Sequence, residues 1–178
     1  MDWTAFETAW HDTGCRTVAD LAAAHPDERL YAAAFHLFYN DGAQILPPAL
    51  AANTEGGAAG DRFAPPEWRW DVLDAASEAM RPWYLRLTDE FLTGADDDEA
   101  LDSLDAAHDA AMARVCLELT ATARRGGIHA ALPPGFVVVI LEGQRGDEEA
   151  DLIRASVAPD VLATVPGLAG YLRELGDA

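Results

Sequence analysis

Residues 29–42, Arg29-Leu30-Tyr31-Ala32-Ala33-Ala34-Phe35-His36-Leu37-Phe38-Tyr39 followed by Asn40-Asp41-Gly42, decide the fold. Read with period two, the run carries Tyr31, Phe35, Leu37 and Tyr39 on one face, and Ala32, Ala34 and His36 on the other. Both faces are largely apolar, as in a strand covered on both sides. Asn40-Asp41-Gly42 between two apolar runs predicts a hairpin turn. The returning strand, 43–53, contains Pro47 and Pro48. Neither has an N–H to give to a ladder, so this strand is expected at an edge or with a bulge.

Outward from the hairpin the pattern becomes helical. Phe6, Trp10, Val18 and Leu21 predict a helix over 3–24 that stops at His25-Pro26. Leu73, Ala76, Met80, Trp83, Leu87 and Phe91 predict a second helix, with Pro82 expected to kink or split it. Asp96-Asp97-Asp98-Glu99 opens a long helix to about Arg124, with an inner stripe of Leu101, Leu104, His108, Ala111, Val115 and Leu119. Gly126-Gly127 ends it. The apolar run Phe136–Leu141 predicts a strand over 136–142, before a short helix at 148–156 and a last one at 159–175 that Pro166 can split. The order α-β-β-α-α-β-α-α predicts one α+β domain over 1–178, a small sheet (hairpin 29–53 plus strand 136–142) packed with helices.

Composition narrows function by exclusion. Of 178 residues, 31 are Asp or Glu and 12 are basic, giving a formal charge of −19, and every basic residue is Arg. Proteins that hold nucleic-acid backbones need clustered cations, so no nucleic-acid partner is expected. The N-terminus lacks the basic and apolar regions of a secretory signal, and no run reaches the roughly 18 apolar residues of a membrane span. A cytoplasmic protein without a membrane partner is the expectation. Cys15 and Cys116, without CxxC spacing, read as buried inert thiols. Phosphate loops, a GxSxG elbow and HExxH are missing, and no metal or cofactor is expected.

Two constellations remain. His36 lies in an apolar strand, and His108 lies on an apolar helix stripe beside Asp105 and Asp109. With Glu67 these would form the acid–base or metal-ligand set of a hydrolase, against the alternative of two histidines satisfied in the core. The second is Phe63-Ala64-Pro65-Pro66-Glu67-Trp68-Arg69-Trp70, either an aromatic-walled cleft holding a carboxylate or an aromatic plug closing the core. Asn53 and Glu67 are expected near each other at the end of the hairpin. Asn53, Glu67, Trp68 and Trp70 are the candidate binding residues, with Trp68 and Trp70 as exposed-loop anchors.

Several segments together resemble the uncharacterised bacterial domain-of-unknown-function family numbered 4303. They are Glu28-Arg29-Leu30-Tyr31-Ala32-Ala33-Ala34-Phe35, Ala52-Asn53-Thr54-Glu55, Pro66-Glu67-Trp68, and Phe136–Leu141 followed by an acidic stretch and Ala158-Pro159. The resemblance spans about residues 5 to 165. This chain departs from it with Phe63 in place of a tryptophan and with Glu142–Asp147 in place of an Asp-Ser-Asp-like segment. The resemblance implies no activity, cofactor or catalytic residue. It implies company among bacterial toxin–immunity and other interaction proteins. The expected function is therefore a non-catalytic, immunity-type binding protein acting on a basic protein such as a toxin. The alternatives are the hydrolase of His36, Glu67 and His108, and an acidic nucleic-acid mimic, which requires the acidic runs to form one face.

Overall fold

A computed structural model describes residues 1–37, 46–56, 62–63, 68–70, 73–94, 97–141, 147–165 and 167–176. Helix α1 (Trp3–Ala24) starts where the Asp2 carboxylate accepts the Ala5 N–H, and stops at His25, just before Pro26. Its inward stripe includes Phe6, Trp10, Val18 and Leu21, as the periodicity predicts. Gly14 lets it approach helix α3 (Asp98–Arg124) closely: a Cβ there would sit 2.8 Å from the buried Leu119 side chain.

The stretch read as a strand over 29–39 forms β1 (Leu30–His36), central in a three-stranded sheet of order β2-β1-β3. Strand β2 (Ala49–Thr54) runs antiparallel to it and β3 (Val137–Ile140) parallel. The expected α+β domain, with the hairpin strands and the third strand in one sheet, is what forms. Strand β2 starts later than 43, after Pro47-Pro48, because two residues without N–H groups cannot join the ladder. The turn Asn40-Asp41-Gly42 lies outside the described residues. A register shift between Leu30 and Ala32 marks a bulge, which sends Tyr31 and Ala32 to the same face.

Helices cover both faces of the sheet. Leu30, Ala33, Phe35, Leu50, Val138 and Ile140 pack under α1, α2 (Asp74–Thr93) and α3. Tyr31, Ala32, Ala34, Ala51, Val137 and Val139 pack under α4 (Asp147–Ser156), α5 (Pro159–Leu162) and α6 (Leu168–Gly176). Helix α2 runs through Pro82 as one helix. Pro82 and Glu78 are both exposed, so the carbonyl that Pro82 leaves without a donor lies on the solvent side. Helix α3 is capped by the Asp97 carboxylate on the Ala100 N–H and closed by Gly126 at φ +77, with the Gly127 N–H reaching the Thr122 carbonyl. The helix expected over 159–175 divides into α5 and α6, with Gly167 at φ +88 before the second; Pro166 is outside the described residues.

Candidate functional site

The bulge in β1 turns Tyr31 toward Asn53, one of the candidate binding residues, and builds a polar node there. Tyr31 donates its hydroxyl hydrogen to the Arg62 carbonyl at 2.7 Å and accepts from Asn53 Nδ2 at 3.0 Å. The Trp68 indole N–H donates to the same Arg62 carbonyl at 3.1 Å. Asn53 Oδ1 accepts from the Thr54 N–H at 2.9 Å, one residue on rather than the two of an Asx turn. It also lies 3.5 Å from the Arg69 N–H. Over this node the Arg62 guanidinium stacks 3.8 Å from the Tyr31 ring centre and grips Glu55 at 3.0 and 3.4 Å. That hydrogen-bonded pairing lowers the Glu55 pKa and raises that of Arg62.

Two of the four sequence-predicted binding residues, Asn53 and Trp68, share this node and both point inward, while the Trp70 ring packs with the core on the other face of the sheet. Asn53 is 1% exposed and Trp68 4% exposed. Trp68 is not the exposed anchor expected: its ring packs in the second core cluster with Tyr31 and Phe63, which is the plug arrangement. Glu67 lies outside the described residues, and so does its pairing with Asn53. Trp70 is half-buried and bound through its backbone, exchanging hydrogen bonds with Ala52 at 2.7 and 3.1 Å across the open edge of β2. Its ring stacks on His25 at 4.3 Å, and Arg69 beside it pairs with Glu28 at 2.7 Å. The Asn-Thr-Glu piece is thus the anchor point of the aromatic segment.

The two histidines of the hydrolase reading occupy different layers. His108 is buried in the α1–α3 layer, its Nε2 3.0 Å from the Tyr84 hydroxyl, which also accepts the Trp10 indole N–H at 3.2 Å. Burial pushes the Tyr84 pKa well up. His36 is two residues from Ala34, so it falls on the α4–α6 face of β1, where burial holds its pKa down. Among the described residues no group of three or more His, Cys, Asp or Glu side chains is placed to hold a metal ion. Cys116 is fully buried, and burial pushes its thiol pKa far up. Cys15, expected buried, is only half-buried, because it sits on the flank of α1 away from the Phe6–Trp10 stripe.

The two acidic runs do not sit together. One opens α3; the other opens α4, whose Glu148 and Asp151 border Asp109 and Ala113 halfway along α3. At 1.5 Å per residue, Asp98 and Asp109 are about 16 Å apart along the helix axis. One member of the second run, Glu149, turns inward and accepts the Tyr171 hydroxyl hydrogen at 2.9 Å.

Helix α2 holds what the sequence reading passed over. Leu85 and Leu92 are 59% and 54% exposed and lie seven residues apart, on one helix face. Their sequence signal is their place off the stripe of Met80, Leu87 and Phe91. Leu85 lines an open groove of about 760 Å³ with Pro47, Asp74, Glu78 and Arg81. Leu92 lies two residues before Gly94, whose carbonyl accepts the N–H of the exposed Asp97 at 2.9 Å, beside the exposed Asp98 and Glu99. Among the described residues no helix is long and apolar enough to cross a membrane. Set beside known proteins, the chain matches no family model, no curated protein and no solved structure.

Proposed function

We propose that this is a non-catalytic binding protein of immunity type that acts in the cytoplasm on a basic protein partner. One observation carries the reading: the exposed Leu85–Leu92 pair lies on an acidic helix face in a chain of net charge −19. Around this face helix α2 supplies Asp74, Glu78 and Asp89 against Arg81, the exposed start of α3 adds Asp97, Asp98, Glu99 and Asp102, and Glu90 lies off it, paired with the N-terminal ammonium at 2.7 Å. Affinity at interfaces comes from a few desolvated apolar anchors, while the charged rim steers the encounter. A second copy of this chain is a poor occupant, since two bodies of charge −19 repel.

The test uses the immobilised full chain and an extract of the native organism. A basic protein is expected to be retained at low salt and released as salt shortens the screening length to about 8 Å near physiological strength and below it beyond. The double variant Leu85→Arg, Leu92→Arg is expected to lose that protein while unfolding at an unchanged denaturant midpoint. Retention that ignores both salt and the double variant overturns the reading.

A further inference from the structure

We infer, on the basis of the binding-protein reading, that the groove beside α2 receives an α-helix of the partner, apolar along one stripe, basic at its flanks and packed in coiled-coil register. Asp74, Glu78, Arg81, Leu85, Thr88 and Leu92 follow one another at alternating steps of four and three residues. That is the seven-residue repeat which lines up one seam of a helix for a second helix. The stripe through Met80, Leu87 and Phe91 faces the core of this chain, so the seam is a second, outward one. All of its members but Leu92 line the open groove of about 760 Å³, together with Pro47. From Asp74 to Thr88 the groove follows α2 for about 21 Å.

Chemistry along the seam selects a basic helix. Pro82 has no N–H, so the Glu78 carbonyl lacks its helical donor and is available to a Lys or Arg of the partner. The seam and its margin carry the exposed Asp74, Glu78 and Asp89 against the exposed Arg81, a net negative strip that pairs with flanking cations. Leu85 and Leu92, about 10.5 Å apart along the axis, supply the apolar contacts one heptad apart. A strand is a poorer occupant, because the β2 edge is already bridged by Trp70 and by the Leu73 N–H. A small ligand is poorer still, because a groove open along its length does not surround it.

The probe is a synthetic, fluorophore-labelled peptide of about 21 residues, three heptads with Leu at both seam positions and Lys at the flanking ones. Its control holds the same residues in strict alternation, the period of a strand. By fluorescence anisotropy at low salt, the full chain is expected to bind the heptad peptide roughly tenfold or more tighter than the control. Leu85→Arg and Glu78→Lys are each expected to weaken the heptad peptide roughly tenfold, whereas Glu118→Lys, the same charge change at an exposed site on α3, shifts it less than about twofold. Equal affinity for the two peptides, a comparison that needs no variant, overturns the inference, and so does an equal loss in Glu118→Lys and Glu78→Lys. Self-association of the parent chain that Leu85→Arg abolishes also overturns it, since a second copy would then fill the groove. The extract experiment fails separately: salt-sensitive retention of a basic protein alongside equal affinity for both peptides keeps the binding-protein reading and removes only the helical partner.

Discussion

The two edges of the sheet are closed by different means. On the β2 edge, backbone meets backbone: Trp70 exchanges two hydrogen bonds with Ala52, and the Leu73 N–H donates to the Leu50 carbonyl. On the β3 edge, side chains from neighbouring helices do the work. Thr120 of α3 accepts the Val138 N–H at 2.9 Å and donates its hydroxyl hydrogen to the Val138 carbonyl at 3.2 Å. Ser156 of α4 accepts the Ile140 N–H at 3.1 Å, and Arg124 donates to the Phe136 carbonyl at 3.3 Å. An open strand edge is a template for pairing with another chain, so both edges need cover. The difference teaches what each region can give up. An edge covered by a chain segment can lose side-chain contacts and keep its backbone pairing. An edge covered by single hydroxyls has no such reserve, because each hydroxyl is the sole cover of its amide among the described residues.

The largest effect expected from this contrast comes from removing the anchor of the β2 cover. Trp68→Ala deletes a buried indole and the donor to the Arg62 carbonyl, and is expected to cost about 3–5 kcal/mol in urea unfolding. A loss below about 1 kcal/mol would show that the segment closes the edge without the plug. Thr120→Val comes next. It keeps the shape but strands the buried Val138 N–H, for about 1–3 kcal/mol, with faster hydrogen exchange at that amide. Unchanged exchange there would mean that the hydroxyl is not what protects the edge. Trp70→Ala is expected to cost on the order of 1–2 kcal/mol, less than Trp68→Ala, because its ring is half-exposed and its backbone bonds remain. If it equals Trp68→Ala, the stack on His25 holds the segment and the backbone bridge does not.

The smallest expected effect is a pH dependence at the far end of β1. Burial keeps the His36 pKa below the ordinary 6.5, so the folded chain favours the neutral ring while the unfolded chain takes up the proton more readily. Its contribution is complete above 6.5 and is lost as pH falls from there toward the lowered folded value. The difference in unfolding free energy between the parent chain and His36→Gln is expected to drift in that window and stay flat above pH 7. A drift of opposite sign would mean that a carboxylate reaches the ring.

Local chemistry in the sequence determined a large part of this molecule. The apolar run at 29–39, the return after Pro47-Pro48 and the run at 136–141 specify strands buried on two faces, because period-two burial leaves no polar side. Asp2, Asp97 and Gly126 set helix ends through bonds made within one turn. That Asn53, Trp68 and Trp70 are candidate site residues was also legible, but the expected pairing of Asn53 with Glu67 lies outside the described residues, and Trp70 packs on the opposite face of the sheet from Trp68. What only the tertiary structure decided is which way those groups face. A one-residue bulge at Tyr31, invisible in composition, turns the Tyr31–Asn53–Arg62–Trp68 node inward. The same holds for the histidines: His36 and His108 both read as core, but the strand and helix that carry them lie in different layers. The partnership of Thr120 with Val138, like the exposure of Leu85 and Leu92, depends on which helix face meets the sheet. Periodicity defines a helix stripe, but only packing settles what covers the sheet edge and what is left for a partner.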